Sequence, residues 1–144
     1  MRLWHYALLP YLPELQFKGQ LRELVLIMHQ WRDKGKTNHL LINRVMEYPK
    51  QDLGGYFLAY REEYQKRYNK DVSAKINEEF YEFCEGHSNK NVFSDWHNKE
   101  YLRVCMANLY EKHIFGQGGS RITDKEWQRL LDGYKKITGE DYKI

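Results

Sequence analysis

The residues best suited to chemistry lie on the first long apolar-periodic stretch of the chain. Turning the segment that follows Pro13 at about 100° per residue gathers Leu21, Leu24, Val25 and Met28 into one stripe and leaves Glu23 on the opposite face, with Gln16, Gly19 and Gln30. A carboxylate held this way can take up a proton or stabilise a positive charge that develops beside it. Gly19, one turn before Glu23, costs helix stability of about 1 kcal/mol relative to alanine. Its missing side chain leaves room for a backbone or a nucleotide to approach the carboxylate. On helix pattern alone Glu23 is a solvated acid beside Arg22, since charged residues normally occupy polar helix faces.

Other constellations are less complete. Cys84 and His87 in "CEGH" have a spacing usable for zinc, but structural zinc takes four ligands and no second pair follows. A metal site is therefore not expected. The zinc deaminase signature is absent. "GQGGS" lacks the Lys-Ser/Thr of a phosphate-binding loop and reads as a connector. "SDWHN" reads as structural, with Asp95 capping a helix and Trp96 buried, the alternative being contact of His97 and Asn98 with a nucleic acid.

The elements that must position these residues are helical. Strand alternation is nearly absent, while period-3.6 patterns recur. The first helix runs from after Pro13 to about Asp33 and ends at "DKGK". "TNHLLINRVMEYP" predicts a short second helix, capped by Thr37 or Asn38 and stopped before Pro49. A third, from about Asp52 to Asn69, aligns Leu53, Phe57, Tyr60 and Tyr64; a fourth groups Ile76, Phe80 and Phe83. "GHSNKNV" is a loop. A fifth helix starts at Ser94 or Asp95, turns Leu102, Cys105 and Leu109 inward and gives out at "FGQGGS". The last begins with a capping box of Thr123 and Glu126, stapled by Ile122 and Trp127, and continues through Leu130, Leu131 and Tyr134. The reading is an all-α, compact single domain spanning 1–144, a bundle of about six helices.

Composition sets the remaining bounds. The 144 residues are 42 % hydrophobic and 30 % charged, as in ordinary soluble globular chains. Aromatic residues reach 15 %, with 12 tyrosines, a residue that suits cores, interfaces and base stacking alike. The first 70 residues hold 12 Lys and Arg against 7 Asp and Glu, and the other 74 hold 11 against 13. A basic first half fits a polyanionic partner. No apolar run has the length of a membrane span. "MRLWHYALLPYLP" fails as a secretory signal, because His5, Pro10 and Pro13 break it and no small-residue cleavage site follows. Cys84 and Cys105 read as reduced thiols of a cytoplasmic protein, with a single disulfide as the alternative; a monomer without a membrane partner, nucleoid-associated in a bacterial host, is expected.

"MR" at the start and "LREL" at 21–24 resemble the pyrimidine-dimer DNA glycosylases of the phage endonuclease V family. "MRLWH", "LLPYLP", "GQLRE", "NHLLINRVMEYP" and "SDWHNKEYLR" resemble a bacterial branch assigned to that family over nearly the whole chain. The resemblance implies an endonuclease V-like fold and a glycosylase with abasic-site lyase activity that needs no metal or organic cofactor. In the family, the α-amine of the first residue attacks C1′ of the damaged nucleotide, and a glutamate on the first helix supports the cationic sugar and the proton transfers of β-elimination. Those roles fall here on Met1 and Glu23. An α-amine, with a pKa of about 7.7–8.0, is roughly 10–20 % neutral at pH 7, and neighbouring cations such as Arg2 and Arg22 raise that fraction. A lysine would need far more tuning.

The partner implied is double-stranded damaged DNA, with Arg2 and Arg22 at phosphates around the lesion. Gln16 and Gln20, near Glu23's face, are candidate base or phosphate contacts. Lys34 and Lys36, in a glycine turn, either track the DNA backbone or cap a helix C-terminus. Trp4 and His5 are expected to pack against the first helix and hold the amine in place. The sequence also departs from the family. The family's nucleophile follows a removed methionine, whereas Arg2 is too large to permit removal of Met1, and a bacterial host would have to deformylate it. Leu26 stands where the phage enzyme has a DNA-contacting arginine, and "YKKITGEDYKI" lacks that enzyme's aromatic, lysine-rich tail. Two alternatives stay open: the same mechanism on a different lesion, and a non-catalytic helical nucleic-acid-binding module.

Overall fold

The computed structural model describes residues 2–35 and 37–144. Residues 2–5 have no regular secondary structure; Leu3, Trp4 and His5 are buried and lead into a 3₁₀ helix, Tyr6–Tyr11. Six α-helices follow among the described residues: α1 Glu14–Lys34, α2 Leu40–Val45, α3 Lys50–Tyr68, α4 Ala74–Phe83, α5 Lys99–Phe115 and α6 Asp124–Thr138. A second, short 3₁₀ turn, Gly118–Ser120, joins α5 to α6, and no described residue is in a strand. The expected all-α architecture is what the chain adopts. Among the described residues no helix is long and apolar enough to cross a membrane.

The entry segment is the centre of the packing. Leu3, Leu8, Leu9 and Leu12 are buried with Phe17, Leu24, Ile27 and Met28 of α1 and with Tyr56, Phe57 and Tyr60 of α3. Arg67 of α3 fixes this segment from outside. Its guanidinium lies 4.1 Å over the Phe17 ring, pairs with Glu63 and donates to the carbonyls of Leu9, Pro10 and Leu12. Arg129 of α6 donates to the Pro10 carbonyl at 2.7 Å. Gly133 of α6 is needed for a close approach, because a Cβ there would stand 2.4 Å from the Tyr11 ring.

Helix ends follow local chemistry, with two corrections. The Thr123–Glu126 capping box forms as expected, and Ser73 caps α4. The fifth helix, however, begins at Lys99 and is capped by Asn98, whose side chain accepts from the Tyr101 N–H at 2.9 Å, rather than at Ser94 or Asp95. Residues before it fold as turns because the buried Asp52 carboxylate accepts from the Phe93 N–H and from Asn89, holding Phe93 at φ 49°. α2 begins after His39, which uses no side-chain cap; Thr37 instead accepts from the His39 N–H and is bonded by Asn43. Both cysteines are buried free thiols.

Candidate active-site cleft

The buried stripe of α1 is Phe17, Gln20, Leu24, Ile27 and Met28, while Leu21 and Val25 are only half-buried. Relative to the expected stripe the helix is turned by about 60°. Glu23 consequently lies on the flank of the buried face, half-buried, rather than opposite it. There it borders a cleft of about 270 Å³ lined by Arg2, Trp4, Leu15, Gln16, Gly19, Gln20, Glu23 and Lys112.

Each wall has a sequence-level cause. Arg2 is exposed and its guanidinium sits 4.9 Å from the centre of the Trp4 ring, a cation–π contact that leaves its N–H groups free for an anion. Gly19 opens the α1 wall: among the described residues, a Cβ added there meets no atom within 4 Å beyond its chain neighbours and its own helix backbone. Gln16 is half-buried, and its Oε1 has no hydrogen-bond partner among the described residues, an acceptor left over at the cleft. Some cations elsewhere are paired within the fold, as Arg61 is with Asp71 and Arg67 with Glu63. Among the described residues, none of Arg2, Arg22, Glu23 and Lys112 belongs to such a pair.

Gln20 is the main correction. It is 1 % exposed, and its amide is spent inside the protein, so it is not an outward-facing DNA contact. Its Oε1 accepts from the Trp4 N–H at 2.8 Å and its Nε2 donates to the Arg2 carbonyl at 2.9 Å. Tyr56 donates to the Trp4 carbonyl and to Gln20 Oε1, and Tyr101 of α5 donates to the Leu3 carbonyl. Burial raises both phenols, so they remain neutral donors.

Trp4 packs on α1 as expected, but His5 turns toward α5. Its ring lies 5.1 Å from that of His97, whose Nδ1 accepts from the Tyr6 N–H, while His5 Nδ1 accepts from the Ala7 N–H. Burial lowers the His5 pKa to about 4, against the opposing pull of backbone groups at His97 and Asn98. Burial, reinforced by His5, lowers that of His97 to about 2. Both imidazoles are neutral at pH 7, which suits caps and ring packing rather than proton transfer.

The cleft thus gathers Arg2, Gln16, Gln20 and Glu23. Arg22 points to solvent on the neighbouring face of α1, and Lys34 is exposed at its far end, about 16 Å along the axis from Glu23. Met1 and Lys36 lie outside the described residues. Lys112, the cleft's contribution from α5, carries no sequence signal; it is one basic residue near a helix end, nearly ninety positions from Glu23.

A helical domain with a cation-rimmed cleft around a carboxylate that forms no ion pair among the described residues is equipped to hold an anionic substrate beside an acid–base group. The family model for pyrimidine dimer DNA glycosylases matches residues 1–76, and the chain belongs to that family. No curated protein and no solved structure matches it. The matched segment carries every residue lining the cleft except Lys112. Family membership defines a DNA-repair glycosylase whose substrate is damaged DNA.

Proposed function

We propose that the protein excises damaged pyrimidines from duplex DNA and cleaves the resulting abasic site by β-elimination, with the Met1 α-amine as nucleophile and Glu23 as the assisting carboxylate. The observation that carries this reading is the placement of Glu23 in one cleft with Arg2, the neighbour of the terminal residue. The amine nitrogen bonds to C1′ as the glycosidic bond breaks, and the base leaves with a proton. The nitrogen then gives up one proton, the bond from C1′ to the ring oxygen breaks, that oxygen takes up a proton, and the open sugar is left as an iminium that keeps the remaining N–H. Loss of a C2′ proton expels the 3′-phosphate, and water hydrolyses the imine to release the enzyme. Glu23 stabilises the cationic sugar and relays these protons. Arg2, Arg22 and Lys112 hold phosphates on either side, with Lys34 and Lys36 further along the strand.

Borohydride reduction of an imine joins protein to DNA covalently, so trapping tests the proposal directly. Protein with a free, deformylated Met1 should trap on a duplex containing an abasic site, and protein acetylated at that amine should not. Glu23→Gln should keep its stability within about 0.5 kcal/mol and still bind DNA, but lose most turnover. Full activity with a blocked amine would mean that a lysine or an activated water attacks instead. Binding without any trapping by the free-amine protein would favour a non-catalytic DNA-binding module.

A further inference from the structure

We propose that Gln20 and Tyr101 are positioning residues that set the register of the N-terminal segment, and so the distance between the terminal amine and Glu23. This rests on the reading that the terminal amine attacks C1′. Gln20 is a buried amide in an otherwise apolar stripe of α1, a place where leucine would pack without needing partners. Its amide spans Leu3, taking the Trp4 N–H on one side and the Arg2 carbonyl on the other, as a neighbouring strand would. Tyr101 holds the intervening Leu3 carbonyl and Tyr56 holds that of Trp4. Three successive carbonyls are therefore met by side chains from three helices.

Apolar packing alone keeps a strand buried but resists sliding along its axis only weakly. Hydrogen bonds at consecutive peptides fix that coordinate. A slip of one residue moves the terminus by about 3.3 Å, as large as the whole separation of reacting atoms in a near-attack geometry, about 3–3.5 Å. Gln20 also precedes Glu23 by three positions on one rigid helix, about 4.5 Å along the axis. The element that grips the N-terminal segment is thus the element that carries the carboxylate.

The test uses the full chain with a free amine, in the Gln20→Leu and Tyr101→Phe variants. Affinity is measured on a duplex carrying a tetrahydrofuran abasic analogue, and single-turnover borohydride trapping on a duplex with one natural abasic site. Gln20→Leu should lower the saturated trapping rate by about 100-fold, and Tyr101→Phe by about threefold to tenfold. The half-saturating DNA concentration should stay within about tenfold, because of the proposed phosphate contacts only Arg2 rides on this segment, while Arg22 and Lys112 do not. A purely structural role would not separate rate from affinity in this way. Wild-type trapping rates in a folded Gln20→Leu variant would overturn the proposal. Should that variant fail to fold, Tyr101→Phe, which keeps its ring, decides by the same measurement. Acetylated wild type separates the two ideas. If it traps normally, the amine reading falls and the positioning role with it. If it is inert while both variants trap at the wild-type rate, the amine reading stands and only the positioning role falls.

Discussion

Gly19 lies one helical turn before Glu23, and the space a side chain at position 19 would enter contains no atom of another element within 4 Å among the described residues. Packing of the described residues therefore does not require the glycine. Gly19→Ala should stabilise the fold by about 0.5–1 kcal/mol, the ordinary gain for a helix interior, and should slow base excision if a nucleotide approaches the carboxylate across that gap. Thermal unfolding paired with single-turnover base release checks both halves. A more stable variant with undiminished excision would show that substrate does not use the space.

The unpaired cations around the cleft should make DNA binding steeply salt-dependent. Lys112→Ala and Arg22→Ala should each weaken binding to damaged and undamaged duplex and reduce the slope of log K against log salt by about 0.9. Lys66→Ala, at an exposed residue paired with Glu62 on α3, should leave the slope unchanged. Fluorescence anisotropy at four salt concentrations is sufficient. An unaltered slope for Lys112→Ala would remove it from the phosphate-binding set.

Acid should loosen the seat of the N-terminal segment. Burial lowers His5 to about 4 and His97 to about 2, whereas an unfolded histidine titrates near 6.5. Below about pH 6.5 the unfolded chain takes up protons that the fold refuses, so this contribution is full above that value and is lost as the pH falls. The loss approaches, at most, about 1.4 kcal/mol per pH unit for each histidine. Urea midpoints at pH 7.5, 6.0 and 5.0 should decline in that order. In NMR titrations both imidazoles should stay neutral at pH 5, and protonation of either above pH 6 would contradict the assignment.

Much of the architecture was legible because helices announce themselves through apolar spacing and caps; the Thr123–Glu126 box is a local pattern and forms as read. The orientation of α1 was less so. A buried glutamine looks like a surface residue in any hydrophobicity pattern, so Gln20 concealed the centre of the stripe and placed Glu23 too far outward. The start of α5 was misjudged for a related reason: Asp95 has the chemistry of a cap, but the distant Asp52 bends the chain at Phe93 and delays the helix to Lys99. Lys112 could not have been found, since only the packing of α5 beside α1 gives it a cleft to face.

The bonds that seat the N-terminal segment reach far along the chain: Leu3 to Tyr101, Tyr6 to His97 and Pro10 to Arg129. During synthesis Leu3, Tyr6 and Pro10 thus leave the ribosome well before the residues that hold them. Residues 1–76 contain the proposed nucleophile and Glu23, yet a nascent chain of that length lacks Tyr101, His97, Lys112 and Arg129. The cleft is completed only when α5 and α6 have emerged and folded back. A chain cut short by premature termination would carry the segment that matches the family without the bonds that seat residues 2–10, and under the proposed mechanism it would not nick DNA.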